Sequence, residues 1–289
     1  MPGLMVSVGI GVAQARSMPL LSHDVESLVQ ASRRPNDVLL FATSFDGVLA
    51  PYESDPSQVA ISPSRLTLLR RLQGLPGVVV AIVSGRSLDD LRPRIPLDAG
   101  AFYIGLHGLE IAGPRFEWAC REGIDAYCDC MRDVAVRLQE TVSSVHGVRV
   151  ECKGPIVALH TRDVAEQQVV WSRFQLLSAA ADLVNMSAVR PLRGHDVLEL
   201  LPNVGCSRAE ALRTVRQCVE ERHQRPVFTM YIAEDVPHDG ALDAGGENGV
   251  GAVVGRRTHA AYHFESCDDV DEMMNELISD RLLRTSNQS

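Results

Sequence analysis

The stretch "DVLLFATSFDGVLAPY", residues 37–52, decides the fold. Val38 to Phe41 is a short continuous apolar run, the pattern of a strand covered on both faces of a parallel sheet. It leads into "TSFDGVLAP", where Asp46-Gly47 falls just past the strand end. In open α/β sheets that carboxyl edge is where ligands bind. The strand and its polar, glycine-containing loop predict an α/β core with a site at this turn.

The flanking sequence repeats the alternation. "SPSRLTLLRRLQGL" (62–75) places Leu66, Leu68, Leu69 and Leu72 at helical spacing behind a serine cap. "GVVVAIVSG" (77–85) reads as a second buried strand, "SLDDLRPRI" (87–95) as a short helix, and "AFYIGLHGLEI" (101–111) as a strand running into a loop. Strand-helix-strand order predicts a parallel sheet with right-handed crossovers. The middle of the chain changes character. A long helix over 122–145 precedes "VRVECKG" and "PIVALHTR", two antiparallel strands turned at Gly154-Pro155. A second helix, Val164 to Leu183, and two strands around Arg193-Gly194 complete an inserted α+β unit. The sheet pattern then resumes with a helix over 207–221, a strand "PVFTMYIAED", a strand "GVGAVVG" and a final helix over 268–283. The expected organisation is an N-terminal extension (1–35), a core in two parts (36–114 and 199–284), a cap (115–198) and a frayed tail (285–289).

Composition narrows the function. The chain has 289 residues, with 28 Lys and Arg against 37 Asp and Glu, and a net charge of −9. An acidic chain is a poor nucleic-acid binder, which needs basic surface. No segment approaches the roughly 18 apolar residues of a membrane span. The opening "MPGLMVSVGIGVAQARS" lacks a basic leader and reads as a loose tail rather than a signal peptide. Seven scattered cysteines argue against a disulfide framework or a zinc site and suit a reduced, cytoplasmic protein.

Six stretches, "SFDGVLAP", "AIVSGRSLDDL", "GLHGLE", "VECKGPIVALHTR", "GHDVLELLP" and "YIAEDVPHDGAL", stand in an order and spacing that resembles the trehalose-6-phosphate phosphatases of the haloacid dehalogenase superfamily. The resemblance implies a Rossmann-like haloacid-dehalogenase core with a parallel sheet and an inserted α+β cap. It implies an aspartate nucleophile, a second aspartate as acid and base, a hydroxyl and a lysine on the phosphoryl oxygens, and Mg2+. Carried over, the acid/base position is Asp46 and the phosphate-holding hydroxyl is Ser84. His107 and Glu110 fall near the boundary between core and cap. Glu151, Lys153, His160 and Arg162 match a cap signature, and Glu199 matches the acid of an E-x-R-P motif. Arg86, His107, Glu110, Glu151, Lys153 and Glu199 are therefore candidates for holding a sugar phosphate. Asp46, Glu234 and Asp235 are candidates for the metal.

The departures fall in the catalytic positions. The nucleophile position is Ser44, the lysine position is Arg208, and the principal metal aspartate is Glu234. Pro237 and His238 replace a threonine and an aspartate, Val48 another threonine, and Leu201 the arginine of E-x-R-P. A serine hydroxyl without a base is a poor nucleophile. Loss of an anionic ligand also weakens a magnesium site. The expected function is a protein that binds trehalose 6-phosphate or a related sugar phosphate with little or no hydrolysis. Two alternatives remain open here: an active magnesium-dependent phosphatase, and an interaction module with an empty cleft. The sequence names no protein partner. Structural readings also stand beside these roles: Ser84 as a helix cap, His107 as a satisfied buried histidine, and Lys153 and Arg162 as a solvated sheet face.

Overall fold

A computed structural model describes residues 22–34, 37–53, 55–114, 116–119, 124–234, 240–243, 245–255, 260 and 262–286. The strands are β1 (Val38–Ser44), β2 (Val78–Val83), β3 (Phe102–Gly105), β4 (Glu110–Gly113), β5 (Phe116–Ala119), β6 (Arg149–Lys153), β7 (Ile156–His160), β8 (Val189–Gly194), β9 (Val197–Pro202), β10 (Val227–Glu234), β11 (Gly249–Val254) and β12 (Tyr262–Phe264). The helices are α1 (Ser22–Ala31), α2 (Pro63–Gln73), α3 (Leu88–Arg94), α4 (Asp125–Val142), α5 (Glu166–Ala179), α6 (Ala181–Asn185), α7 (Arg208–His223) and α8 (Cys267–Ser286).

The large sheet has the order β12-β11-β10-β1-β2-β3-β4-β5. It is parallel from β12 through β3, and β4 and β5 add antiparallel at one edge. β1 lies between β10 and β2, and all seven of its residues are buried. Its alternate residues serve two cores. Leu39 and Phe41 pack with α1, α2 and α8 side chains such as Leu28, Leu69 and Leu277. Val38, Leu40 and Ala42 pack with Leu212 and Val215 of α7. Burial on both faces is why the strand reads as an unbroken apolar run. Each such side chain contributes roughly 1.5–3 kcal/mol on burial.

The second sheet is antiparallel, in the order β6-β7-β9-β8. One face, through Val157, Leu159, Leu198 and Leu200, is covered by Met131, Val134 and Leu138 of α4 and Leu176 of α5. Residues of opposite parity, among them Glu151, Lys153 and Glu199, take the other face. β9 carries this sheet beyond residue 198, so Glu199 belongs to it. A small apolar cluster joins the two sheets: Leu106 and Leu109 follow β3, and Ile156 and Leu201 come from the small sheet.

Three features depart from the sequence reading. Residues 22–31, for which no element was expected within the N-terminal extension, form α1, whose Val25, Leu28 and Val29 are buried in the main core. The hairpin β4–β5 extends the sheet where only a loop was expected. The helix expected over 164–183 breaks into α5 and α6 at Ala180. The reading of residues 1–17 as a tail lies outside the described residues.

Leu201 is 2% exposed within the junction cluster. Leu201→Ala should cost about 2–5 kcal/mol of stability, measured as a lower urea midpoint. A midpoint unchanged from wild type would contradict its place in that cluster.

Candidate functional site

The site forms at the carboxyl edge of the large sheet, facing the small one. β1 ends at Ser44, and the chain turns at Asp46-Gly47, where the Gly47 N–H donates to the Ala50 carbonyl at 2.8 Å. Gly47 has φ +75, and a Cβ there would come within 2.8 Å of the Tyr52 ring. Ser84 follows β2, His107 follows β3 and Glu234 ends β10, so four strand ends converge on one crevice. Its volume is about 580 Å3, within the ~300–1,000 Å3 of small-molecule clefts. Asp46, Arg86, His107, Arg208 and Glu234 line it from the large sheet, and Glu151, Lys153 and Glu199 from the small one.

The floor holds two pairs. The first is neutral: Ser44 is only 6% exposed, and its Oγ lies 3.1 Å from the Tyr231 hydroxyl. Tyr231 stands on β10, opposite Ala42 of β1. Nothing in the sequence reading pointed to it, because the pairing depends on strand register. The second is charged: the Arg86 Nε donates to both Asp46 oxygens at 3.1 and 3.0 Å, and Nη2 donates to Oδ1 at 2.7 Å. Arg86 Nη1 donates to Asp90 at 2.7 Å and Nη2 to the Pro56 carbonyl at 2.9 Å. Burial works against the guanidinium's charge, but its bonds to Asp46 and Asp90 outweigh that and raise its pKa. Ser84 accepts the Arg86 N–H at 3.1 Å and points its hydroxyl toward Asp46 at 3.4 Å.

The wall is a buried charge network. Leu106 and His107 have φ +45 and +56, left-handed values that cost non-glycine residues roughly 1–3 kcal/mol each. This turn aims the His107 ring across the junction. Its Nε2 lies 2.7 Å from Glu199 Oε2, and its Nδ1 lies 2.8 Å from Arg208 Nη2. Lys153 Nζ donates to Glu199 Oε1 at 2.8 Å and to the Gly85 carbonyl at 3.4 Å. Only one protonation state serves both ring contacts: a neutral imidazole with Nε2–H donating to Glu199 and Nδ1 accepting from Arg208. Two glycines let the parts meet. A Cβ on Gly85 would lie 2.6 Å from the His107 ring, and one on Gly108 would lie 2.4 Å from the Ser207 carbonyl, beside Arg208 at the start of α7.

Burial pushes the His107 pKa down and Arg208 adds to this, against the pull of Glu199. For Glu199, burial raises the pKa, but His107 and Lys153 together bring it far below the usual carboxylate range.

Elsewhere in the small sheet, Glu151 Oε2 lies 2.8 Å from His160 Nε2, and burial, which raises its pKa, is outweighed by that bond and by Lys153. Arg162 donates to the Glu53 carbonyl, pairs with Asp196 at 3.5 Å and lies over the Tyr52 ring at 5.4 Å. Tyr52 also stacks on His195, with centroids 4.9 Å apart. Tyr52, His195 and Asp90 are cleft residues that the sequence reading did not single out.

Three candidates sit apart from the lining. Ser44 and Ser84 lie beneath it, and Glu110 turns away, accepting the Leu88 N–H at the start of α3 at 2.7 Å. Asp235, Pro237 and His238 lie outside the described residues. Among the described residues no three His, Cys, Asp or Glu side chains converge as a metal would need. No helix among them is long and apolar enough to cross a membrane.

A family model described as trehalose-phosphatase matches residues 42–272. The trehalose-phosphate phosphatase of Mycobacterium ulcerans is 30% identical over 241 residues, which are 81% of this chain and 60% of that protein. The chain thus spans about 60% of the length of the first curated relatives it matches. The fold matches the C-terminal domain of a Candida albicans trehalose-6-phosphate phosphatase, with TM-score 0.75 and 16% identity, over 88% of this chain and 96% of that one. It also matches a haloacid dehalogenase-like hydrolase from B. subtilis, with TM-score 0.52 and 14% identity, over 82% and 98%.

The neutral state of His107 sets a pH dependence. The unfolded chain protonates this histidine near pH 6.5 while the folded chain resists, so stability falls as pH drops below that value. His107→Gln should lose less stability than wild type between pH 7 and 5 in urea titrations. Equal losses would contradict a neutral His107.

Proposed function

The chain belongs to the trehalose-phosphatase family, and from that premise we propose that its cleft binds trehalose 6-phosphate or a related sugar phosphate with little or no hydrolysis. The observation that carries this reading is the hydrogen bond between Ser44 and Tyr231. Attack on phosphorus needs an anion or a hydroxyl with a base beside it. Ser44 carries no charge, and its hydrogen-bond partner among the described residues is a phenol, whose ordinary pKa near 10 makes it no base at neutral pH.

Asp46 does not fill the gap. Three N–H contacts from Arg86 occupy most of its acceptor capacity. A phosphoryl group on Ser44 would be an ordinary ester and would stall. Loss of a nucleophile costs other enzymes on the order of 10⁴–10⁶ in rate.

The family implies a magnesium ion, and the described residues do not fit one. Ser44 offers a neutral oxygen already engaged by Tyr231, and Asp46 is spanned by a guanidinium. No step is therefore assigned to a metal.

Binding has the groups it needs. Arg208 and the Asp46 amide are proposed to face the phosphate, with the Ser84 hydroxyl beneath them, directed at Asp46. Glu151 and Glu199 are proposed to accept from sugar hydroxyls, with Lys153 and His107 fixing Glu199. The small sheet then acts as a cap that reads the sugar. A cytoplasmic setting fits such a ligand.

The test pairs a melting curve with a phosphate assay on the unmodified chain. Trehalose 6-phosphate at ~100 Kd should stabilise the fold by about 2.7 kcal/mol and release no phosphate with Mg2+ present. Ser44→Ala should leave that stabilisation intact. Phosphate release abolished by Ser44→Ala would overturn the non-hydrolytic reading, and no stabilisation by the ligand would overturn the binding one.

A further inference from the structure

We infer that the Arg86 guanidinium is the resident cation of this cleft, so that an anionic ligand binds there without a divalent metal. The identity of that ligand rests on the sugar-phosphate reading above; the exclusion of the metal does not.

Arg86 is fixed from several sides. Its side chain is 12% exposed and bonds to Asp46, Asp90 and the Pro56 carbonyl. The guanidinium lies over the Phe45 ring at 5.6 Å. Its own backbone N–H bonds to Ser84. A guanidinium stays charged at any ordinary pH and matches a carboxylate in fork geometry. It spans both oxygens of Asp46, the acid nearest the end of β1.

A magnesium ion at this carboxylate faces two obstacles. It would have to break three N–H contacts and leave Arg86 partly buried against it. It would also need near-octahedral oxygen ligands at roughly 2.0–2.1 Å while giving up water reluctantly. The next oxygen along, Ser44 Oγ, is a neutral alcohol bonded to Tyr231. Three other lining cations are matched in the same way: Lys153 with Glu199, Arg162 with Asp196 and Arg149 with Glu151. Among the described residues, Arg86 spends four of its five N–H donors, leaving one Nη1 hydrogen for a ligand oxygen.

The test uses the full chain, with Mn2+ as the metal probe and trehalose 6-phosphate as the anion. Calorimetry should give the same dissociation constant in EDTA and in MgCl2. Mn2+ alone should give no water-proton relaxation enhancement that depends on Asp46, as judged by Asp46→Asn. Arg86→Gln should create such an enhancement and make sugar-phosphate binding respond to metal. Roughly tenfold weaker binding in EDTA, a 1.4 kcal/mol change, would overturn the inference. So would an Asp46-dependent Mn2+ signal in the wild type. If trehalose 6-phosphate binds in neither buffer, the sugar-phosphate reading fails and the wild-type Mn2+ titration alone decides this one. That titration also decides it should Arg86→Gln fail to fold.

Discussion

A carboxylate buried between two sheets has to be neutralised, and Glu199 imposes that constraint on the rest of the molecule. It is 4% exposed, and an unpaired charge at that depth would cost several kcal/mol. Lys153 answers from its own sheet and His107 from across the junction. To reach Glu199, His107 sits in a left-handed turn, and to keep its other nitrogen satisfied it accepts from Arg208. One acid on β9 thus fixes the strained turn after β3, the start of α7 and the approach of the small sheet. The apolar cluster of Leu106, Leu109, Ile156 and Leu201 closes the same seam without charge.

The floor of the cleft follows a second rule of balance. β1 delivers one carboxylate, Asp46, where the family resemblance implies two. One guanidinium spans it, and the residue in the missing acid's place hydrogen-bonds to a phenol. Within these pairs charge is matched by charge and neutral by neutral. Such a floor is stable without a cation. The one carboxylate that β1 delivers is also engaged by Arg86, not held ready for attack on phosphorus. Retained binding and lost turnover are compatible here, because the groups proposed to hold sugar hydroxyls sit on the wall and the altered nucleophile position, Ser44, on the floor.

Much of the fold was legible because it is written locally. The unbroken apolar runs of β1 and β2 announce strands with helices on both faces, and Ser62 and Ser207 mark helix starts. Residues 22–31 carried a signal that went unread: Val25, Leu28 and Val29 stand at helical spacing. The hairpin of β4 and β5 was harder, since its two strands have four residues each. At the site, the motifs placed His107, Lys153 and Glu199 in the cleft but could not show that they form one network. Glu110 looked like a neighbour of the ligand because it follows "GLHG", yet its carboxylate caps α3. Tyr231 and the Arg86–Asp46 pair were invisible for a common reason: one contact crosses between neighbouring strands and the other joins the loops that follow two neighbouring strands, so both depend on strand order and not on spacing along the chain.

The measurement that bears most directly on this account is a ³¹P NMR time course of trehalose 6-phosphate with the purified chain and Mg2+. The account expects the sugar-phosphate resonance to shift or broaden on binding and to keep its full integral, with no inorganic phosphate appearing over days. A growing inorganic phosphate signal that scales with protein concentration would contradict it.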